Sequence, residues 1–170
     1  MTGRTALVIV VSVAEPLVGD VRARYDPVAA HGMLPHVTVL YPFVPPPASD
    51  EDIATLRELA ASTPAFDFTL AGVRRFPGVL WLDPAPARPF IALTQRVTAA
   101  WPQHAPYEGA HDEIVPHLTV AHGGGALLDS VEPRLASGLP LHATARTLTL
   151  MERDASGWWS ARAEFPLGAV

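Results

Sequence analysis

Two nearly identical pentapeptides, Pro35-His36-Val37-Thr38-Val39 and Pro116-His117-Leu118-Thr119-Val120, stand roughly 80 positions apart, and nothing else in the chain limits its fold as much. Each opens on a proline, which ends any preceding helix, and continues with residues that favour an extended backbone. On a strand, alternate side chains share a face, so His36 and Thr38 point one way while Val37 and Val39 enter a core. The same alternation separates His117 and Thr119 from Leu118 and Val120. A bare His-x-Thr is expected by chance about once in two chains of this composition, and a third does occur, His142-Ala143-Thr144. That copy lacks the proline and the flanking aliphatic pair, and reads as coincidence. The two full copies predict a duplicated fold whose His/Thr faces meet across one cleft.

The surrounding elements repeat in the same order. Residues 6–13 read as a buried first strand; the apolar run is too short and too rich in valine for a secretory signal. Leu17, Val21 and Tyr25 recur at helical spacing, and a strand covers 36–41. Ser49 with Asp52 forms a capping-box pattern opening a helix to about Ala61. Strands at 66–70 and 79–82 flank a Pro77-Gly78 turn. The order then restarts: a helix from Pro89 to Trp101, a strand at 117–122 broken by Gly123-Gly124-Gly125, and a helix at 127–136. A hairpin of 141–153 with 158–165 closes the chain, one of its Trp158 and Trp159 rings in the core and the other half exposed. Both halves read helix, strand, helix, strand, strand. The expectation is one domain over 1–170, with a first-motif lobe at about 16–85 and a second-motif lobe at about 86–170, completed by strand 6–13.

Composition narrows the function. With 49% hydrophobic residues, the 170-residue chain can bury a core. Net charge is −5 and no basic stripe is visible, so an extended double-stranded nucleic acid is not an expected partner. All 12 basic residues are arginines, which is given no mechanistic weight. The absence of cysteine excludes disulfides and thiolate catalysis. No apolar run is long enough to span a membrane, and a cytoplasmic monomer is expected.

The paired His-x-Thr motifs, one in each half, resemble those of the 2H phosphoesterase superfamily, which includes the 2'-5' RNA ligase-like proteins. The segments from Arg75 to Leu82 and from Glu152 to Leu167 are similar to the corresponding parts of bacterial members. The resemblance implies an α+β, bilobal, pseudo-twofold fold: two antiparallel sheets line a central groove, with helices outside. It also implies that His36, Thr38, His117 and Thr119 line that groove, with His117 as base and His36 as acid; the residues themselves rank neither. One departure stands out. Many members carry arginine just past the second motif, where this chain has His122. Tyr41 holds the matching place after the first motif. Strict alternation turns both away from the groove unless a bulge intervenes.

Two imidazoles and two hydroxyls suit the opening of a 2',3'-cyclic phosphate. One histidine takes a proton from water, the other protonates the departing ribose oxygen, and the threonines donate to the non-bridging oxygens. The expected activity is a phosphodiesterase needing no metal and no cofactor, acting on cyclic nucleotides or on RNA ends bearing a cyclic phosphate. RNA 2'-5' ligation or 2'-5' phosphodiesterase activity, and a non-catalytic nucleotide-binding module, are the alternatives. Arg75, Phe76, Tyr41, Tyr107 and His122 are candidate substrate contacts. A metal-hydrolase reading would use His31, His36, His117 and His122 with His111, Asp112 and Glu113, but His-x₄-His across a proline is not a helical ligand pair, and the halves share no acidic cluster.

Overall fold

A computed structural model describes residues 3–105 and 113–168. In chain order the elements are β1 (Arg4–Val10), α1 (Glu15–Tyr25), β2 (His36–Leu40), α2 (Asp50–Ala61), β3 (Phe66–Phe76) and β4 (Val79–Ala85). There follow α3 (Arg88–Ala100), β5 (Leu118–His122), α4 (Gly125–Ser137), β6 (Leu141–Ala145), β7 (Thr147–Arg153) and β8 (Trp159–Pro166). Local chemistry sets several boundaries. Pro16 and Pro89 occupy first helical turns, where a missing N–H costs nothing. At α2 the Ser49 hydroxyl accepts the Asp52 N–H at 3.0 Å, and the Asp52 carboxylate accepts the Ser49 N–H at 3.0 Å. That carboxylate also accepts the Trp101 indole N–H at 2.9 Å, pinning the end of α3 to the start of α2. Gly78 makes the β3–β4 turn at φ +73°.

The strands form two four-stranded antiparallel sheets, ordered β2-β1-β7-β8 and β5-β4-β3-β6. The motif strands β2 and β5 are the edge of each sheet, and they pack against one another. The α+β architecture is as expected, but the lobes do not follow the halves of the chain. The β3–β4 hairpin, expected beside the first motif, pairs with the second-motif strand; β7 and β8 join the first-motif sheet. Order along the chain records adjacency in sequence, whereas pairing is decided by which antiparallel edges meet once the helices have packed. The structural repeat is therefore β1-α1-β2 and β4-α3-β5, each motif strand lying beside the strand two elements earlier. The helices then cross over: α1 packs on β5 and α3 on β2.

The closing segment also divides. Residues 141–153, expected as one strand, change sheets at Arg146: Ala145 pairs with Phe66, whereas Thr147 pairs with Pro166. Most of the core is one cluster beneath both sheets, including Leu7, Val37, Leu82, Leu118, Leu150 and Phe165. A smaller cluster of Ala6, Val8, Met33, Met151 and Trp159 covers the opposite face of the first sheet. Trp159 is buried and Trp158 half exposed, as expected for that hairpin.

Candidate active site

Each motif strand keeps its alternation for three residues and then loses it at a bulge. In β2, Thr38 lies opposite Val8 but Leu40 lies opposite Leu7, so Val39 and Leu40 are both buried. In β5, Thr119 lies opposite Trp81 but Ala121 lies opposite Leu80, so Val120 and Ala121 are both buried. The extra residue reverses the facing of whatever follows. His122 thereby lies opposite Val79, on the face that carries Trp81 and Thr119. Tyr41 likewise joins Trp159 on the face that carries Val8 and Thr38. Both residues after the motifs thus turn to the groove.

The two histidines are held in the same way. Nδ1 of His36 lies 2.7 Å from the Leu34 carbonyl, and Nδ1 of His117 lies 2.7 Å from the Val115 carbonyl. A carbonyl can only accept, so each Nδ1 carries hydrogen and each neutral ring presents its Nε2 lone pair. Thr38 and His117 line one cavity of about 190 Å³ with Tyr41, Thr94 and Ile114. One member of each motif, Thr38 and His117, thus shares a cavity at the seam where β2 meets β5.

The surroundings of the two rings differ. Burial, followed by the charges of Arg22 and His117, pushes the His36 imidazole down to about 4, against the favourable bond to Leu34. Burial also lowers His117, against its bond to Val115. His117 packs on an aromatic wall: Phe76 at 5.2 Å and Trp81 at 5.8 Å between ring centroids, those two stacked on each other at 4.7 Å.

Phe76, a candidate substrate contact from the sequence, thus packs on His117, and its neighbour Trp81 was not anticipated. The available signal was alternation in β4, which puts Trp81 beside the second motif while Leu80 and Leu82 enter the core. Arg75 is a correction. It lies opposite Leu80 on the helical side of the sheet and donates to Asp129 at 2.8 Å and Glu132 at 3.4 Å, both on α4. The register shift in β3 between Leu70 and Val73 reverses its facing and puts Arg74, bonded to Asp83 at 2.7 Å, opposite Trp81 instead. Tyr41 makes an edge contact with Trp159 at 6.0 Å, with the Arg4 guanidinium 5.9 Å over its ring. Nε2 of His122 stands 3.9 Å from an Asp26 carboxylate oxygen. Tyr107, His111 and Asp112 lie outside the described residues. Among the described residues no three histidine or acidic side chains gather as metal ligands, and no helix is long and apolar enough to cross a membrane.

Known proteins agree with this architecture. No curated protein sequence matches the chain. Among solved structures, E. coli LigT in apo form superposes with TM-score 0.63 at 20% identity, covering 98% of each chain. E. coli LigT complexed with 3'-AMP gives 0.62 at 18%, covering 98% of this chain and 99% of that one. TT0787 of Thermus thermophilus gives 0.64 at 16%, covering 99% of each. These likenesses establish the fold. The sequence model of the 2'-5' RNA ligase superfamily matches residues 10–157, a span that contains both motifs and both bulges, and the chain belongs to that superfamily, within the 2H phosphoesterases.

Proposed function

We propose that this protein is a phosphodiesterase that hydrolyses 2',3'-cyclic phosphates of nucleotides or RNA ends by two-histidine acid–base catalysis. One observation carries the reading: two imidazoles at the starts of opposing edge strands, each tied through Nδ1 to the carbonyl two residues earlier and each followed two residues on by a threonine. That arrangement supports two Nε2 atoms flanking one phosphorus.

In hydrolysis, Nε2 of one histidine takes a proton from water as its oxygen attacks phosphorus. The bond from phosphorus to one ribose oxygen breaks, and Nε2–H of the other histidine delivers the proton to that oxygen. Thr38 and Thr119 donate to the non-bridging oxygens, where charge builds up. Both proton transfers belong to side chains, so the scheme calls for no metal and no cofactor. The unequal surroundings support His36 as base, since burial and a nearby cation favour its neutral form. They support His117 as acid, since burial alone lowers its ring, without the added push of a nearby cation. This reverses the order that family resemblance implies.

Net charge −5 favours a small nucleotide or a single RNA end over a long duplex. The 3'-AMP held by LigT is a ligand of that size. Tyr41, Phe76 and His122 are the groove-facing candidates for substrate contact. The superfamily's name favours a second reading, 2'-5' ligation or cleavage of RNA by the same pair. The deciding experiment is product analysis on a panel of 2',3'-cyclic nucleotides and cyclic-phosphate-ended oligonucleotides, with and without chelator. Hydrolysis that survives chelation is expected. Binding without turnover across the panel refutes the enzyme, and turnover confined to 2'-5' linkages selects the second reading.

A further inference from the structure

Arg22 is the only fully buried arginine among the described residues, at 2% exposure, in the last turn of α1. Its Nε donates to Asp26 Oδ2 at 3.2 Å, while its Nη2 is buried and meets no partner among the described residues. Asp26, itself 3% exposed, accepts the Val28 N–H at 3.4 Å and stands 3.9 Å from Nε2 of His122. Because α1 packs on β5, this cluster lies against the motif strand of the other lobe, and the β5 bulge turns His122 to the groove. A buried guanidinium is costly unless its donors are satisfied, and one carboxylate leaves this one under-paired. A cation kept in that condition is explained when an anion completes it. The charged and titratable groups that act on His36 come from two elements, Arg22 on α1 and His117 just ahead of β5; Asp26, which caps α1, pairs with Arg22 and faces His122.

We propose that Arg22 is a positioning residue of this site, a fixed cation beneath the groove that favours an anion at the phosphate seat. The same charge disfavours a proton on the His36 ring. Asp26 holds Arg22 in place, and His122 closes the cluster from the groove side. The inference rests on His36 and His117 being the reacting pair, and it assigns the permanent positive charge of the site to α1.

The test measures two quantities that do not require turnover: the titration midpoints of the His36 and His117 rings by NMR, and the affinity for inorganic phosphate. The decisive variant combines Arg22→Met with Asp26→Leu, because replacing both members of a buried pair by apolar groups tends to preserve the fold. We expect its His36 midpoint to rise by about half a unit or more and its phosphate binding to weaken about tenfold, with His117 moving less. Arg22→Lys retains both properties. If the double variant does not fold, Arg22→Gln, which keeps a donor towards Asp26, reads the same two quantities. A folded variant with an unchanged His36 midpoint and unchanged phosphate affinity overturns the proposal. If the wild type hydrolyses no cyclic phosphate, the enzymatic reading fails separately, and the ring titration still decides the role of Arg22.

Discussion

The two walls of the groove were built from one plan and finished differently. Both have a proline, a histidine anchored through Nδ1 to the carbonyl two residues back, a threonine, a bulge, and a side chain turned back to the groove. Behind β2 stands α3, whose Thr94 hydroxyl donates to the bulge carbonyl of Val39 at 2.9 Å. Behind β5 stands α1, with an arginine–aspartate pair. His117 rests on Phe76 and Trp81, while His36 sits within reach of a fixed cation. Backbone geometry explains why the rings are anchored alike, and the side chains behind them explain why the nearby cation pushes only His36 further towards its neutral form.

That comparison is most easily broken at the rings themselves. His36→Ala and His117→Ala should each cost about 10²–10⁴-fold in turnover of a cyclic nucleotide with the fold intact by circular dichroism. Wild-type turnover by either one dissolves the pairing. Next come the hydroxyls: Thr38→Val and Thr119→Val should each raise the barrier by about 2–4 kcal/mol, measured as kcat/KM. A loss confined to one of them would show that the walls are not equivalent in holding charge.

A smaller effect concerns pH. The His36 ring titrates at about 4 in the folded protein against 6.5 as its ordinary value. As pH falls from 6.5 towards 4 the unfolded chain takes up this proton first, so stability declines across that window and levels off below it. Urea unfolding at about pH 7, 5.5 and 4 should show the decline, and His36→Gln should reduce it. The smallest effects belong to the groove's rim. Phe76→Ala and Tyr41→Ala should raise KM for a cyclic nucleotide by several-fold, since base–aromatic stacking is worth about 1–3 kcal/mol, with little change in kcat. Equal increases would place a base against both walls, whereas an increase in one alone identifies the wall that carries it.

Much of this site could be read from the sequence. The repeated motif predicted both motif strands and the alternation that buries Val37 and Leu118 but not Thr38 and Thr119, because period-two alternation is a property of the backbone and needs no tertiary information. The capping box at Ser49 and Asp52 was legible for the same reason. Three things were not. Bulges change which side a residue faces without leaving a mark in composition, so Arg75 and Arg74 exchange sides across the shift after Leu70. The switch of sheets at Arg146 lies inside an uninterrupted β-prone run. Arg22 sits in a helix that looks like an ordinary surface element, and its burial depends on α1 crossing to the strand of the other lobe.

That crossing bears on how the molecule can be taken apart. A piece ending after β4 would carry β2 without α3, and the remaining piece would carry β5 without α1. Neither piece keeps a complete wall, so separately expressed pieces should recover activity only by reassociating, both walls returning in one step. A single half of such a chain, if it ever existed alone, would have had to lend its helix to a twin.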